Sequence, residues 1–182
     1  MDTFDRSERA PARLLIAFID LTRFTACVMR TEAAVLADIV DVYYRRVGAR
    51  VSSSGGRVVK FIGDAVLIVF PEQHIDAGVE ALLDIKAEVD AWLRSIGWDA
   101  RAIVKVHVGT PIAGPFGPSE VFDVIGADVN ISATLESLGF ALSAEAFRAL
   151  SPASRKRFKK HTPPVTYIRT EDPHPHRTGR AI

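Results

Sequence analysis

The amino-acid sequence predicts an α+β fold in a single domain, on three observations. Short apolar runs of strand length alternate with two long stretches of helical periodicity. A Gly-Asp pair, Gly63-Asp64, joins two β-rich runs as a hairpin tip would. The chain has 182 residues, 48% hydrophobic and 25% charged, which is enough to bury one sizeable core.

The elements follow in order. Residues 1–12 read as a loose polar lead. Arg13–Asp20 (RLLIAFID) is an apolar run ending in a carboxylate, the pattern of a buried strand. A long helix is expected next, because Phe24, Val28, Val35, Ile39, Val42 and Val47 recur near helical spacing with charged residues between them. Ser52-Ser53-Ser54-Gly55-Gly56 breaks it. Arg57–Ile62 and Ala65–Phe70 form the hairpin, closed by Pro71. A second helix runs from about His74 to Ser95, with Val79, Leu82, Val89, Leu93 and Ile96 as its apolar stripe and Gly97 at its end.

Arg101–Gly109 then alternates Ile103, Lys105 and His107 against Val104, Val106 and Val108, a strand pattern. Pro111–Gly117 reads as a strand or turn, Val121–Ile125 as a short strand, and Gly126–Leu138 as a third helix. A small strand at Gly139–Ser143, a short helix at Glu145–Leu150, and a ribbon of Phe158–Lys160 with Val165–Arg169 complete the domain. The order is that of the ferredoxin-like βαββαβ sandwich with C-terminal additions, its helices on one face of an antiparallel sheet. The domain is expected over residues 13–170, followed by a mobile polar tail at 171–182.

Composition excludes several functions. Lys+Arg is 23 and Asp+Glu is 22, so a net charge of +1 provides no field to hold nucleic acid or an anionic membrane. One cysteine, Cys27, rules out a disulfide framework or a cysteine-rich zinc site. The charged N-terminus is not a secretory signal, and no apolar run approaches the ~20 residues of a membrane span. The expectation is a cytoplasmic, reducing-compartment domain, with no room in the chain for a separate sensor.

Two carboxylates stand out for chemistry. Asp20 ends the first strand and Asp64 sits at the hairpin tip, so a βαββ arrangement can bring both to one end of the sheet. Paired carboxylates on rigid backbone can hold one or two hard divalent cations. A turn aspartate and a helix-capping aspartate would look the same in sequence. No GxxxxGK[ST] loop is present, so a phosphate cradle must be built otherwise, and the helix start at Arg23-Phe24-Thr25 offers free amides for it.

These segments also carry a family resemblance. FIDLTRFT (Phe18–Thr25), GGRVVKFIGDAVLIVF (Gly55–Phe70), VHVGTPIAGPFG (Val106–Gly117) and FDVIGADVNISATLES (Phe122–Ser137) resemble, in order, the motifs of the class III nucleotidyl (adenylate and guanylate) cyclase catalytic domain. The resemblance covers about Leu14 to Arg169. It implies that Asp20, Asp64 and the Leu21 carbonyl hold two Mg²⁺ or Mn²⁺ ions. Backbone amides at Phe24 and Thr25 would take the terminal phosphates, and Lys60 and Asp123 would read the base. Asn130 would orient the ribose, and Lys159 or Lys160 would reach the phosphates. The implied reaction converts a nucleoside triphosphate to its 3′,5′-cyclic monophosphate and pyrophosphate. The implied assembly is a homodimer with shared sites.

One departure concerns charge. The family places an arginine four residues after the ribose asparagine, and Thr134 stands there. Arg23 is the first candidate for a replacement cation, against the plainer reading of a solvated helix-start charge. A chain made of this domain alone resembles the short pyrimidine cyclases of bacterial antiphage defence, which act through a separate effector. That resemblance and Thr134 lean toward UTP or CTP. The Lys60/Asp123 pair leans toward ATP, because aspartate accepts from the adenine amine and lysine donates to a ring nitrogen. A catalytically silent, nucleotide-binding homologue is the alternative from another class. His174 and His176 read as a solvated tail, His107 as a satisfied sheet histidine, Cys27 as a small core residue, and Arg155-Lys156-Arg157 as a solvated face.

Overall fold

The computed structural model describes Phe4 and residues 8–172. Its elements are β1 (Ala10–Pro11), β2 (Leu14–Leu21), α1 (Phe24–Val28), α2 (Ala33–Ser53), β3 (Arg57–Ile62), β4 (Ala65–Pro71), α3 (Ile75–Ser95), β5 (Ala102–Gly109), β6 (Ile112–Phe116), β7 (Val121–Ile125), α4 (Ala127–Thr134), β8 (Phe140–Leu142), α5 (Ala144–Ala149), α6 (Pro152–Arg155), β9 (Phe158–His161) and β10 (Thr166–Arg169). Seven strands form one sheet in the order β3-β4-β2-β5-β8-β10-β9. The first four of these pair antiparallel in the ferredoxin-like arrangement, and β8 then joins β5 in parallel.

β2 lies inside this sheet and is apolar on both faces because both are covered. Leu15, Ala17, Ile19 and Leu21 pack against Tyr43, Val47 and Val51 of α2 and Val79, Leu82, Val89 and Leu93 of α3. Leu14 and Ile16 face the other way, toward Leu67, Val69, Ala113, Phe122 and Val124. Each fully buried Leu or Ile contributes about 2 kcal/mol. The second layer is a three-stranded sheet, β1-β6-β7, together with α4. The expected sandwich, with helices on one face, thus has its opposite face partly covered as well, and this covered face carries the candidate site.

Four expectations are corrected. The first long helix is two helices, because the chain resets at Met29–Glu32: the Thr31 hydroxyl donates to the Cys27 carbonyl at 2.8 Å, and the Glu32 carboxylate caps α2 through the Ala34 and Val35 amides. The reset turns Val35 and Val42 outward, where they are exposed. The third helix stops at Thr134, since Leu135 is extended and Ser137 folds back onto the Val104 carbonyl and the Gly139 amide. Ala10–Pro11, read as loose lead, pairs with β6. Arg155, read as part of a solvated face, ends a helical turn (Pro152–Arg155) capped by Ser151 and is half-buried, its Nε donating to the Phe147 carbonyl at 3.0 Å. The hairpin, α3, the alternating β5 and the terminal ribbon stand where the pattern put them. His174, His176 and most of the expected tail lie outside the described residues.

Candidate active site

The sheet register builds the site. Lys60, Leu67, Phe18 and Lys105 are consecutive cross-strand partners, a row running across β3, β4, β2 and β5 on the face turned away from α2 and α3. Asp20 lies two residues beyond Phe18 on the same face of β2. Asp64 is in the two-residue hairpin turn after Gly63, whose φ of 62° is the left-handed conformation that favours glycine. The turn and the end of β2 touch, as the Leu21 N–H donates to Asp64 Oδ2 at 3.0 Å. Tyr43 and Tyr44 of α2 hold the turn from behind, their hydroxyls donating to the carbonyls of Asp64 (3.1 Å) and Gly63 (2.6 Å). Burial pushes the Tyr43 phenol far above its ordinary pKa, and the charges of Asp64 and Asp20 push it further.

The donor set suits a hard cation. Two carboxylates and a backbone carbonyl offer only oxygen donors, on rigid strand and turn. Among the described residues no group of three or more His, Cys, Asp or Glu could hold a metal. Two carboxylates alone would leave most of a hard cation's shell to phosphate and water, which Mg²⁺ accepts. Lys105, which sequence reasoning read only as part of an alternating strand, belongs to this cluster. Its ammonium donates to Asp20 Oδ2 at 3.2 Å and to the Ala133 carbonyl at 3.0 Å. The available signal was a lysine in an otherwise apolar strand.

Lys60 and Asp123 meet as an ion pair between β3 and β7, and Asp123 Oδ1 also accepts from the Val124 amide at 2.8 Å. Asn130 and Thr134 are exposed on α4, with the Thr134 hydroxyl turned back onto the Asn130 carbonyl at 2.8 Å. Three side chains seat α4. Ser132, fully buried, donates to the Ile16 carbonyl at 2.9 Å. Lys105 reaches Ala133. Asp128 accepts from the Thr110 amide at 2.7 Å and lies 3.2 Å from His107 Nε2. His107 is buried with Ser143 at its other ring nitrogen (2.9 Å), which is the satisfied histidine expected of it.

The remaining predicted residues lie further out. Phe24 and Thr25 open α1, whose N-terminus has no side-chain cap, and Phe24 packs against Trp98. Arg23, in left-handed conformation, pairs with exposed Asp99 at the rim of a 260 Å³ pocket that includes Cys27, Arg30 and Trp98. Lys159 donates to the carbonyls of Thr170 and Asp172, and Lys160 is exposed beside it on edge strand β9. That strand is four places from β2, roughly 19 Å at ordinary strand spacing, so one chain does not bring Lys160 to Asp20.

Comparison with known proteins identifies the class to which this fold and site belong. A model of the adenylate and guanylate cyclase catalytic domain matches residues 9–165, and the chain belongs to that family of nucleotidyl cyclases. The chain is 25% identical over 136 residues to an adenylate cyclase of Anabaena cylindrica, covering 69% of this chain and 27% of that protein. It is 28% identical over 134 residues to an adenylate cyclase of Streptomyces coelicolor, covering 74% of this chain and 32% of that protein. The match thus spans only about a quarter to a third of each of these relatives. Among solved structures, the adenylyl cyclase CyaB of P. aeruginosa superposes with a TM-score of 0.79 at 19% identity, over 91% of this chain and 97% of that one. The guanylyl cyclase Cya2 superposes with a TM-score of 0.72 at 18% identity, over 88% and 91%. No helix among the described residues is long and apolar enough to cross a membrane.

Proposed function

We propose that this chain is the working half of a homodimeric, metal-dependent, cytoplasmic cyclase that converts a nucleoside triphosphate to a 3′,5′-cyclic monophosphate and pyrophosphate. The carrying observation is the juxtaposition of Asp20 and Asp64 through the Leu21 amide. These carboxylates and the Leu21 carbonyl would hold Mg²⁺ or Mn²⁺, which when bound lowers the pKa of the ribose 3′-hydroxyl and neutralises phosphate charge. The chain's own groups do the positioning. The amides of Phe24 and Thr25 bind the terminal phosphates, Asn130 orients the ribose, and the 3′-oxygen attacks the α-phosphorus in line with the departing pyrophosphate. Lys60 and Asp123 separate around the base edge, one donating and one accepting. The carboxylates of one protomer work with Lys60, Asp123, Asn130 and Lys160 of its partner. Exposed Ile62, Val121, Ile125 and Ile131 supply apolar surface for such a dimer to cover.

For the base, the uncharged Thr134 supports UTP or CTP, with the product a messenger for a separate antiphage effector. ATP is the second reading, supported by the Lys60–Asp123 ion pair, whose donor and acceptor complement adenine. The test is incubation of the pure protein with each of the four triphosphates and Mn²⁺, with products identified by mass. A cyclic pyrimidine nucleotide and pyrophosphate are expected. Cyclic AMP would establish the second reading, and no cyclic product from any triphosphate would identify a silent homologue. Asp64→Ala should abolish product while leaving the oligomeric state unchanged.

A further inference from the structure

We propose that the Lys105 ammonium is a resident counter-cation of the Asp20–Asp64 pair, competing with divalent ions for Asp20 and setting how tightly the site holds them. The inference rests on the metal reading of those two carboxylates and adds a residue that reading does not use. Three observations carry it. Lys105 Nζ is 3.2 Å from Asp20 Oδ2, with the two side chains only 19% and 37% exposed, so solvent screens the pair incompletely. The same ammonium donates to the Ala133 carbonyl at 3.0 Å, so a second element holds it in place. Ala133 is the residue before Thr134, so the cation stands at the end of α4 where the helix's own side chain carries no charge.

The chemistry follows from charge and from the carboxylate oxygens already in use. One oxygen of Asp20 is bonded to Lys105, and one oxygen of Asp64 to the Leu21 amide. Two carboxylates and one ammonium leave the cluster a single net negative charge. An incoming divalent ion must displace the ammonium from Asp20 or share the carboxylate with it. Repulsion between a unit charge and a divalent ion a few ångströms apart is worth at least roughly tenfold in affinity even when screened as in bulk water. A site so disfavoured for bare metal fills most readily when the triphosphate brings its own negative charge. Displaced from Asp20, the ammonium remains anchored at Ala133 beside the incoming phosphates.

The experiment titrates Mn²⁺ alone, without nucleotide, into the full chain and follows free Mn²⁺ by electron paramagnetic resonance. Lys105→Gln keeps a donor for the Ala133 carbonyl and removes the charge. It should bind Mn²⁺ at least about tenfold more tightly than wild type, while Lys105→Arg should stay within about twofold of wild type. Lys105→Met, uncharged and of similar length, should match Lys105→Gln and stands in for it if that variant does not fold. Asp64→Asn should lose the binding. Unchanged affinity in the uncharged variants, with binding still dependent on Asp64, would overturn the role of Lys105 and leave the metal site standing. Mn²⁺ binding indifferent to Asp64 in every variant would overturn both.

Discussion

Two glycine-to-alanine substitutions should have opposite signs, and the space around each residue says why. Gly109 is the last residue of β5, and a Cβ placed there would lie 2.2 Å from Asp128 Cγ and 2.5 Å from Asp128 Oδ2. Asp128 cannot yield freely, because the same oxygen takes the Thr110 amide and its other oxygen faces His107. Overpacking costs about 1–3 kcal/mol, and a disturbed hydrogen bond to a charged group about 1.5–3 kcal/mol more. At roughly 2–4 °C per kcal/mol for a chain of this size, Gly109→Ala should lower Tm by about 5–24 °C. Gly48 lies within α2, and a Cβ added there would meet nothing within 4 Å. Gly48→Ala should gain about 0.5–1 kcal/mol from helix propensity and raise Tm by roughly 1–4 °C. Thermal denaturation followed by circular dichroism reads both. A Gly109→Ala protein melting within about a degree of wild type would refute the claim that Asp128 is wedged against β5. Because α4 carries Asn130, the same variant should also lose cyclase activity at temperatures where it is still folded.

Two more predictions concern charge. Burial alone would raise the Asp76 pKa, but hydrogen bonds from Ser154 and Ser151, with Arg155 nearby, outweigh it and lower the folded value. Its stabilisation is therefore present above the ordinary carboxylate pKa and is lost as pH falls through the depressed folded value. Asp76→Asn should lower stability at neutral pH and flatten the acid limb of a plot of denaturation midpoint against pH; a parallel limb would refute the linkage. Asp123→Asn replaces a pure acceptor with a group that also donates, so the ratio of kcat/KM between triphosphates should shift by about tenfold or more. Equal losses for every triphosphate would remove Asp123 from base reading.

Much of the fold was legible because local pattern and tertiary environment agreed. The alternation of β5 puts Val104 and Val106 toward the helices and Lys105 and His107 toward α4. Gly63 supplies the positive φ that a two-residue turn needs. The split between α1 and α2 was not legible, since Phe24, Val28, Val35 and Ile39 keep a plausible period through a break that a glutamate cap creates. The extent of α4 was misread for a related reason: Leu135 and Leu138 continue the apolar spacing although the backbone has already left the helix. At the site, Asp20, Asp64, Lys60 and Asp123 were marked by motif. The ion pair of Lys105 with Asp20 was not, because it depends on the register between strands 85 residues apart in sequence.

One residue, Gly126, separates the end of β7 from the start of α4. Asp123 and Asn130 therefore ride on a single stiff crank with almost no slack at its elbow. Its β7 arm is braced in the small sheet by β6, and its α4 arm is pinned by Ser132 to β2. If Asp123 reads the base and Asn130 orients the ribose, as proposed, a base that fits Asp123 poorly would pull on that arm and tilt Asn130 with it. Discrimination between bases would then register in turnover as well as in affinity, because the grip on one end of the nucleotide sets the aim at the other.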